Sequence, residues 1–234
     1  MYKRAAIFCI TIAISFSASL AFSNDFSEGL LAYKSQNFAI ALQKWKPLAK
    51  NGDPNAQSNM GVMYSQGNGV KKDYNVALMW WTRAAQQGHA KARFNLGVMY
   101  QKGWGVSIDP KKAIHWYLLA AQQGVRRAQF NLAVMYDMGT GVEQNSKNAF
   151  KWYSLAAKQG DARAMTNLGV LYAIGKGVPE NYIEAYKWGN LGGANGNENG
   201  SRLRDLVEQK MTPRQIEEAQ DLGRKCLEFK FSKC

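Results

Sequence analysis

A period of 36 residues constrains this chain more than any other feature. Set in rows of that length, the sequence falls into columns. Ala41, Ala77, Ala113, Ala149 and Ala185 form one, and Gly52, Gly88, Gly124, Gly160 and Gly196 another. Ala56, Ala92, Ala128 and Ala164 form a third, followed by Asn59, Asn95, Asn131 and Asn167 and then by Tyr64, Tyr100, Tyr136 and Tyr172. A Gly-x-Gly-Val stretch returns at 67–70, 103–106, 139–142 and 175–178, with no insertion to break the register. A fixed period in this range implies a solenoid, in which each repeat buries its face only against its neighbours.

Each repeat reads as a helical hairpin. In the first helix, expected over Ala56–Gln66 and its equivalents, Ala56, Met60 and Tyr64 recur at i, i+4 and i+8 and so share one face. Small residues at Gly61, Gly97, Ala133 and Gly169 are expected to let another helix approach closely. The helix should stop at the Gly-x-Gly-Val turn, where glycine takes the left-handed conformation without steric cost. Asp73, Asp109, Asn145 and Asn181 then supply side-chain oxygens to cap the second helix, and Pro110 suits a first helical position. That helix carries alanines and aromatics, such as Ala77, Trp81, Ala84 and Ala85, and ends at Gly88 or its equivalent.

These columns resemble the Sel1-like repeat family, a relative of the tetratricopeptide repeat. The second repeat carries the pattern in full: Ala92, Leu96-Gly97, Tyr100, Gly103-x-Gly105-Val106, Asp109, Ala113, Trp116-Tyr117, Ala120-Ala121 and Gly124. The resemblance implies an all-α fold, a right-handed superhelix of about six αα-hairpins, with four repeats over 53–196. Residues 24–52, with Ala32-Tyr33, Ala41-Leu42 and Trp45, look like the tetratricopeptide-like hairpin that opens exported members of the family. Residues 197–234 lose the pattern, as a terminal repeat with a polar outer face should. There, 198–209 and 213–229 read as capping helices, the second opened by a Thr212-Pro213-Arg214-Gln215 capping box. Some relatives pair two cysteines per repeat and act on β-lactams; this chain lacks those cysteines, and none of that activity is carried over.

Residues 1–23 read as a secretory signal peptide, with Lys3 and Arg4 ahead of an apolar run and small residues at its end. The alternative is an uncleaved anchor, although the run is short for a span. Cleavage would leave an exported protein, periplasmic or secreted, without a membrane span. The whole chain carries +13; without Lys3 and Arg4 there are 28 basic residues against 17 acidic, or +11. Export argues against nucleic acid as the anionic partner and leaves lipid head groups, envelope polymers and acidic proteins. Solubility alone would also account for the charge. Export also leaves Cys226 and Cys234 in an oxidising compartment. Eight residues apart, they can pair only if the helix ends near Phe229 and the tail folds back. Free thiols or pairing between chains are the alternatives.

No constellation of residues points to catalysis, a metal or a cofactor. The glycine turns join helix to helix, whereas a phosphate loop joins strand to helix. His89 and His115 lie apart from any cysteine and read as surface residues. The tryptophans and tyrosines sit at helical spacing and read as core. What remains is a groove. By resemblance, the first helix of each hairpin lines the concave side. This turns inward Asn55, Ser58, Val62, Ser65 and Gln66 in the first repeat, and Lys91, Phe94, Val98, Gln101 and Lys102 in the second. Arg127, Phe130, Val134, Asp137 and Met138 follow in the third, then Arg163, Thr166, Val170, Ala173 and Ile174 in the fourth. Lys91, Arg127 and Arg163 thus form a row of cations beside Phe94 and Phe130. With Val98, Val134 and Thr166, these residues are the expected groove for an acidic or carboxylate-ended peptide. The expected function is a non-catalytic scaffold gripping a protein or peptide partner. The alternatives are an anionic-polymer or lipopolysaccharide binder and, further off, a hydrolase.

Overall fold

Helix caps and turn glycines divide the sequence into its elements. The computed structural model describes residues 24–231 and 234, and every regular element among them is a helix. The expected leader over 1–23 lies outside the described residues. α1 covers 24–34. It is followed by α2 (Phe38–Lys50), α3 (Pro54–Gln66), α4 (Tyr74–Gln86), α5 (Ala90–Lys102) and α6 (Pro110–Gln122). Then come α7 (Arg126–Met138), α8 (Ser146–Ala157), α9 (Ala162–Ala173), α10 (Tyr182–Ala194), α11 (Glu198–Glu208) and α12 (Pro213–Glu228). No described helix is long and apolar enough to cross a membrane. The chain forms two compact units. The first holds the described residues up to Met99 together with Trp104–Ser107; the second holds Tyr100–Gly103 and the chain from Ile108 onward.

The second helices start as expected. Asp73, Asp109, Asn145 and Asn181 each accept a backbone N–H of the first turn through the side chain. Each such cap stabilises its helix by about 1 kcal/mol. The first helices start earlier than expected. α3 begins at Pro54 rather than Ala56, because the Asp53 carboxylate accepts from Ala56 and proline fits the first helical position. The same column of caps continues with His89, whose Nδ1 accepts the Ala92 N–H at 3.1 Å, and with Asp161, which accepts from Arg163 and Ala164. At Val125 no side chain caps the helix.

The two glycines of each turn do different work. The first ends the helix, as Gly67 and Gly139 do with φ of 79° and 70°. The second lies against the start of the preceding second helix. A Cβ on Gly69 or Gly105 would stand 2.8 or 2.6 Å from the Cβ of Phe38 or Tyr74 in the first unit. Gly141 and Gly177 meet Pro110 and Ser146 in the same way in the second unit. The turn therefore recurs because it is a contact between successive repeats, which only a bare Cα allows.

Trp45, Met60, Met63, Trp81 and the column alanines form the buried interior of the first unit. Tyr117, Leu132, Tyr153, Met165, Leu168 and Leu191 do so in the second. Buried glutamines stitch the repeats together. Gln57 donates to the Ala49 carbonyl and accepts from Gln87, and Gln129 donates to the Ala121 carbonyl and accepts from Gln159. Gly61 admits the neighbouring helix α4 through one side chain. It makes room for the Trp81 indole, whose Nε1 donates to the Ser58 carbonyl at 3.0 Å. At Gly169 the expected helix approach is found, against the backbone of Ala185 and Gly189 in α10.

α11 and α12 stand where the two C-terminal helices are expected, and the Thr212–Gln215 capping box is formed. α12 ends at Glu228, and Lys230 and Phe231 take positive φ. Cys226 and Cys234 are joined as a disulfide with Cα atoms 5.1 Å apart.

Candidate partner-binding surfaces

In the second unit, two first helices lie side by side and in the same direction. Near their starts the Arg163 guanidinium of α9 stands over the Phe130 ring of α7, 4.0 Å from its centre. Near their ends Lys176 pairs with Asp137 at 2.7 Å. Along the same two elements, Val134 and Met138 of α7, and Val170 of α9 with Ile174 at its C-cap, follow at helical spacing. Met138 is 73% exposed and Ile174 60% exposed, large values for apolar side chains with a folded body to pack on. Arg127 is exposed at the cationic end of the same face. The surface thus runs from guanidinium groups to an apolar strip within two helices.

The expected groove residues divide by their surroundings. The structure brings Arg163 and Phe130 together, with Phe130 also leaning on the Tyr153 ring. Tyr153 stays neutral, since burial pushes its hydroxyl up to about 12 against a hydrogen bond from Asn167. Thr166 is a correction. It is 4% exposed, its hydroxyl donates to the Ala162 carbonyl, and Gly192 of α10 closes over it. Its column faces the second helix of the hairpin, and only a side chain as long as Phe130 extends beyond it. Arg163 is not a bare cation either. It donates to Asp161, whose carboxylate is held by the helix cap and only 7% exposed. In the first unit, Lys91 is exposed and Phe94 and Val98 are half-buried on α5.

Also within the first unit is a cleft of about 460 Å³ lined by Val62, Ser65, Gln66, Lys72, Tyr74, Trp81, Asn95 and Trp104. Val62, Ser65 and Gln66 are among the residues expected to line a groove. The aromatic wall was not expected. Trp104 is 40% exposed and stacks on Tyr74 with ring centres 5.6 Å apart, and Lys72 stands over Tyr74 at 4.7 Å. The signal was present in the turn columns, where the middle residue is Asn68, Trp104, Thr140 or Lys176. A large aromatic at one copy of a variable turn position has no role in the repeat.

The histidines have separate settings. His115 is exposed. His89 is a helix cap held below its usual range, first by burial and then by Lys91, with Asp53 opposing. No cluster of His, Cys, Asp and Glu able to hold a metal occurs among the described residues.

The Sel1 repeat model matches residues 54–89, 90–125, 126–161 and 162–197, which places every hairpin from α3 to α10 in register. The chain belongs to the Sel1 repeat family. Sel1 repeat proteins are generally protein-binding scaffolds and usually non-catalytic. Among solved structures, a Sel1 repeat protein from Oxalobacter formigenes is 29% identical with a TM-score of 0.72, over 82% of this chain and 83% of that one. A protective antigen of uropathogenic Escherichia coli with the same repeat fold is 27% identical with a TM-score of 0.55. It is covered over 48% of its length, so this chain spans about half of it. No curated protein matches the chain.

Proposed function

We propose that this Sel1 repeat protein is an exported, non-catalytic scaffold that holds an acidic peptide or protein segment on the face shared by α7 and α9. The observation that carries the reading is the graded surface itself, with Arg127 and Arg163 at one end and Met138 and Ile174 exposed at the other. A segment with carboxylates followed by apolar residues fits it in one direction. The guanidinium groups receive the carboxylates in charge-assisted, bidentate hydrogen bonds, and the exposed apolar strip supplies the burial that sustains binding. Residues 1–23 support export, since their basic start, apolar run and small residues suit a cleaved leader. Asp161 sets a condition on the mechanism: a partner carboxylate must share Arg163 with it, so Arg127 is the freer of the two cations.

The test is crosslinking in the native envelope with the full chain and with a charge-reversed form carrying R127E and R163E. Loss of the crosslinked partner, with the far-ultraviolet circular dichroism retained, is the expected result. Undiminished capture by the reversed chain would remove Arg127 and Arg163 from the binding surface. N-terminal sequencing of the mature chain tests export separately; a retained Met1 would contradict cleavage.

A further inference from the structure

The cleft of the first unit owes one open polar group, the Asn95 amide, to a departure from the repeat. In the second unit, Asn131 and Asn167 hydrogen-bond the hydroxyls of Tyr117 and Tyr153. One repeat earlier, the residue in the tyrosine column is Trp81. Its indole N–H is already given to the Ser58 carbonyl, and it has no oxygen to offer Asn95. Among the described residues the Asn95 amide keeps no side-chain partner, and it lines the cleft. The lining also holds the Ser65 hydroxyl, which donates to the Val62 carbonyl, and the Gln66 amide, whose Oε1 accepts from Tyr33 and Asn68 and whose N–H groups remain as donors. The Trp104 and Tyr74 stack forms one wall, and Lys72 stands at the edge as a cation.

We infer that this cleft is a binding site for an acidic saccharide. The exposed indole of Trp104 offers a flat apolar face, which the C–H face of a sugar ring can cover. The Asn95 amide both donates and accepts, Gln66 keeps N–H donors and Ser65 keeps an acceptor oxygen, the mixture adjacent sugar hydroxyls require, whereas lysine and arginine donate only. Lys72 answers a carboxylate or phosphate on the ring. A cleft of about 460 Å³ lies in the range of small-ligand sites. An aliphatic peptide side chain is the poorer occupant, because Val62 is the one aliphatic group of the lining and the aromatic rings stand beside amides, a hydroxyl and a cation. The site is separate from the α7 and α9 face and does not depend on the reading given to it.

The probe is an immobilised panel of uronic-acid, sialic-acid and phosphorylated oligosaccharides beside their neutral counterparts, applied to the full chain at physiological salt. Retention of at least one acidic member over its neutral counterpart is expected. N95A should weaken that binding about tenfold, the scale of one lost hydrogen bond to a bound group, and W104A should abolish it. R127E with R163E should leave it unchanged, which separates this site from partner capture. No preference for any acidic member would overturn the proposal. So would retention indifferent to both N95A and W104A, or a peptide library held at Trp104 in place of the saccharides.

Discussion

His89 does at the start of α5 what aspartate does at the starts of α3 and α9: it accepts the N–H three residues on. Unlike aspartate, it loses that capacity when protonated. Burial and Lys91 depress its pKa, so the unfolded chain binds the proton more readily than the folded one. The stability tied to neutral His89 is then full above about pH 6.5 and is lost as pH falls through the lower folded-state value. Denaturant titrations across this range should show the loss, and H89D should flatten it. A pH response unaltered by H89D would contradict the assignment. Val125 stands in the same column with no side-chain cap, so V125D should raise stability by about 1 kcal/mol in chemical denaturation. The caps of the second helices were legible as single residues in the sequence. His89 was not, because a capping imidazole looks like any surface histidine until its Nδ1 is placed. The burial of Thr166 is hidden for a related reason: it depends on Gly192, 26 positions away.

At the scale of elements, the repeat is held by where bare Cα atoms stand. The first turn glycine needs only the left-handed conformation, whereas Gly105 also stands against the Cβ of Tyr74. G105A should therefore destabilise the first unit by more than about 1 kcal/mol, from strain and contact together. Thermal unfolding read from Tyr and Trp fluorescence would measure it, and a neutral outcome would remove the inter-repeat role of the turn. Gly61 makes the same point in a helix. An added methyl would run into the Trp81 indole, so G61A should cost about 1–3 kcal/mol in the same assay. Helix order and the turn positions were readable because they recur. The partner of each glycine was not, because a small residue in a column says that something comes close without saying what. Trp81 and Tyr117 occupy one column, yet an indole over Gly61 and a hydroxyl held by Gln101 are different solutions.

For the whole molecule, what repeats accounts for the architecture, and the surface features with no structural duty lie at positions that vary. Met138, Ile174 and Trp104 break no helix and fill no core, and each replaces a different residue in a neighbouring repeat. The cationic row was visible in the sequence as a column. The sharing of Arg163 with Asp161 was hidden, since a cap and an ion pair made by one carboxylate require the side chains in place. The most direct measurement is site-specific photocrosslinking in the producing cell, with the reactive group at Met138, at Ile174 and, for comparison, at the exposed Leu155 of α8. The account predicts one discrete adduct from Met138 and Ile174, lost when Arg127 and Arg163 are reversed, and none from Leu155. Equal adducts from all three positions, or adducts indifferent to the charge reversal, would contradict it.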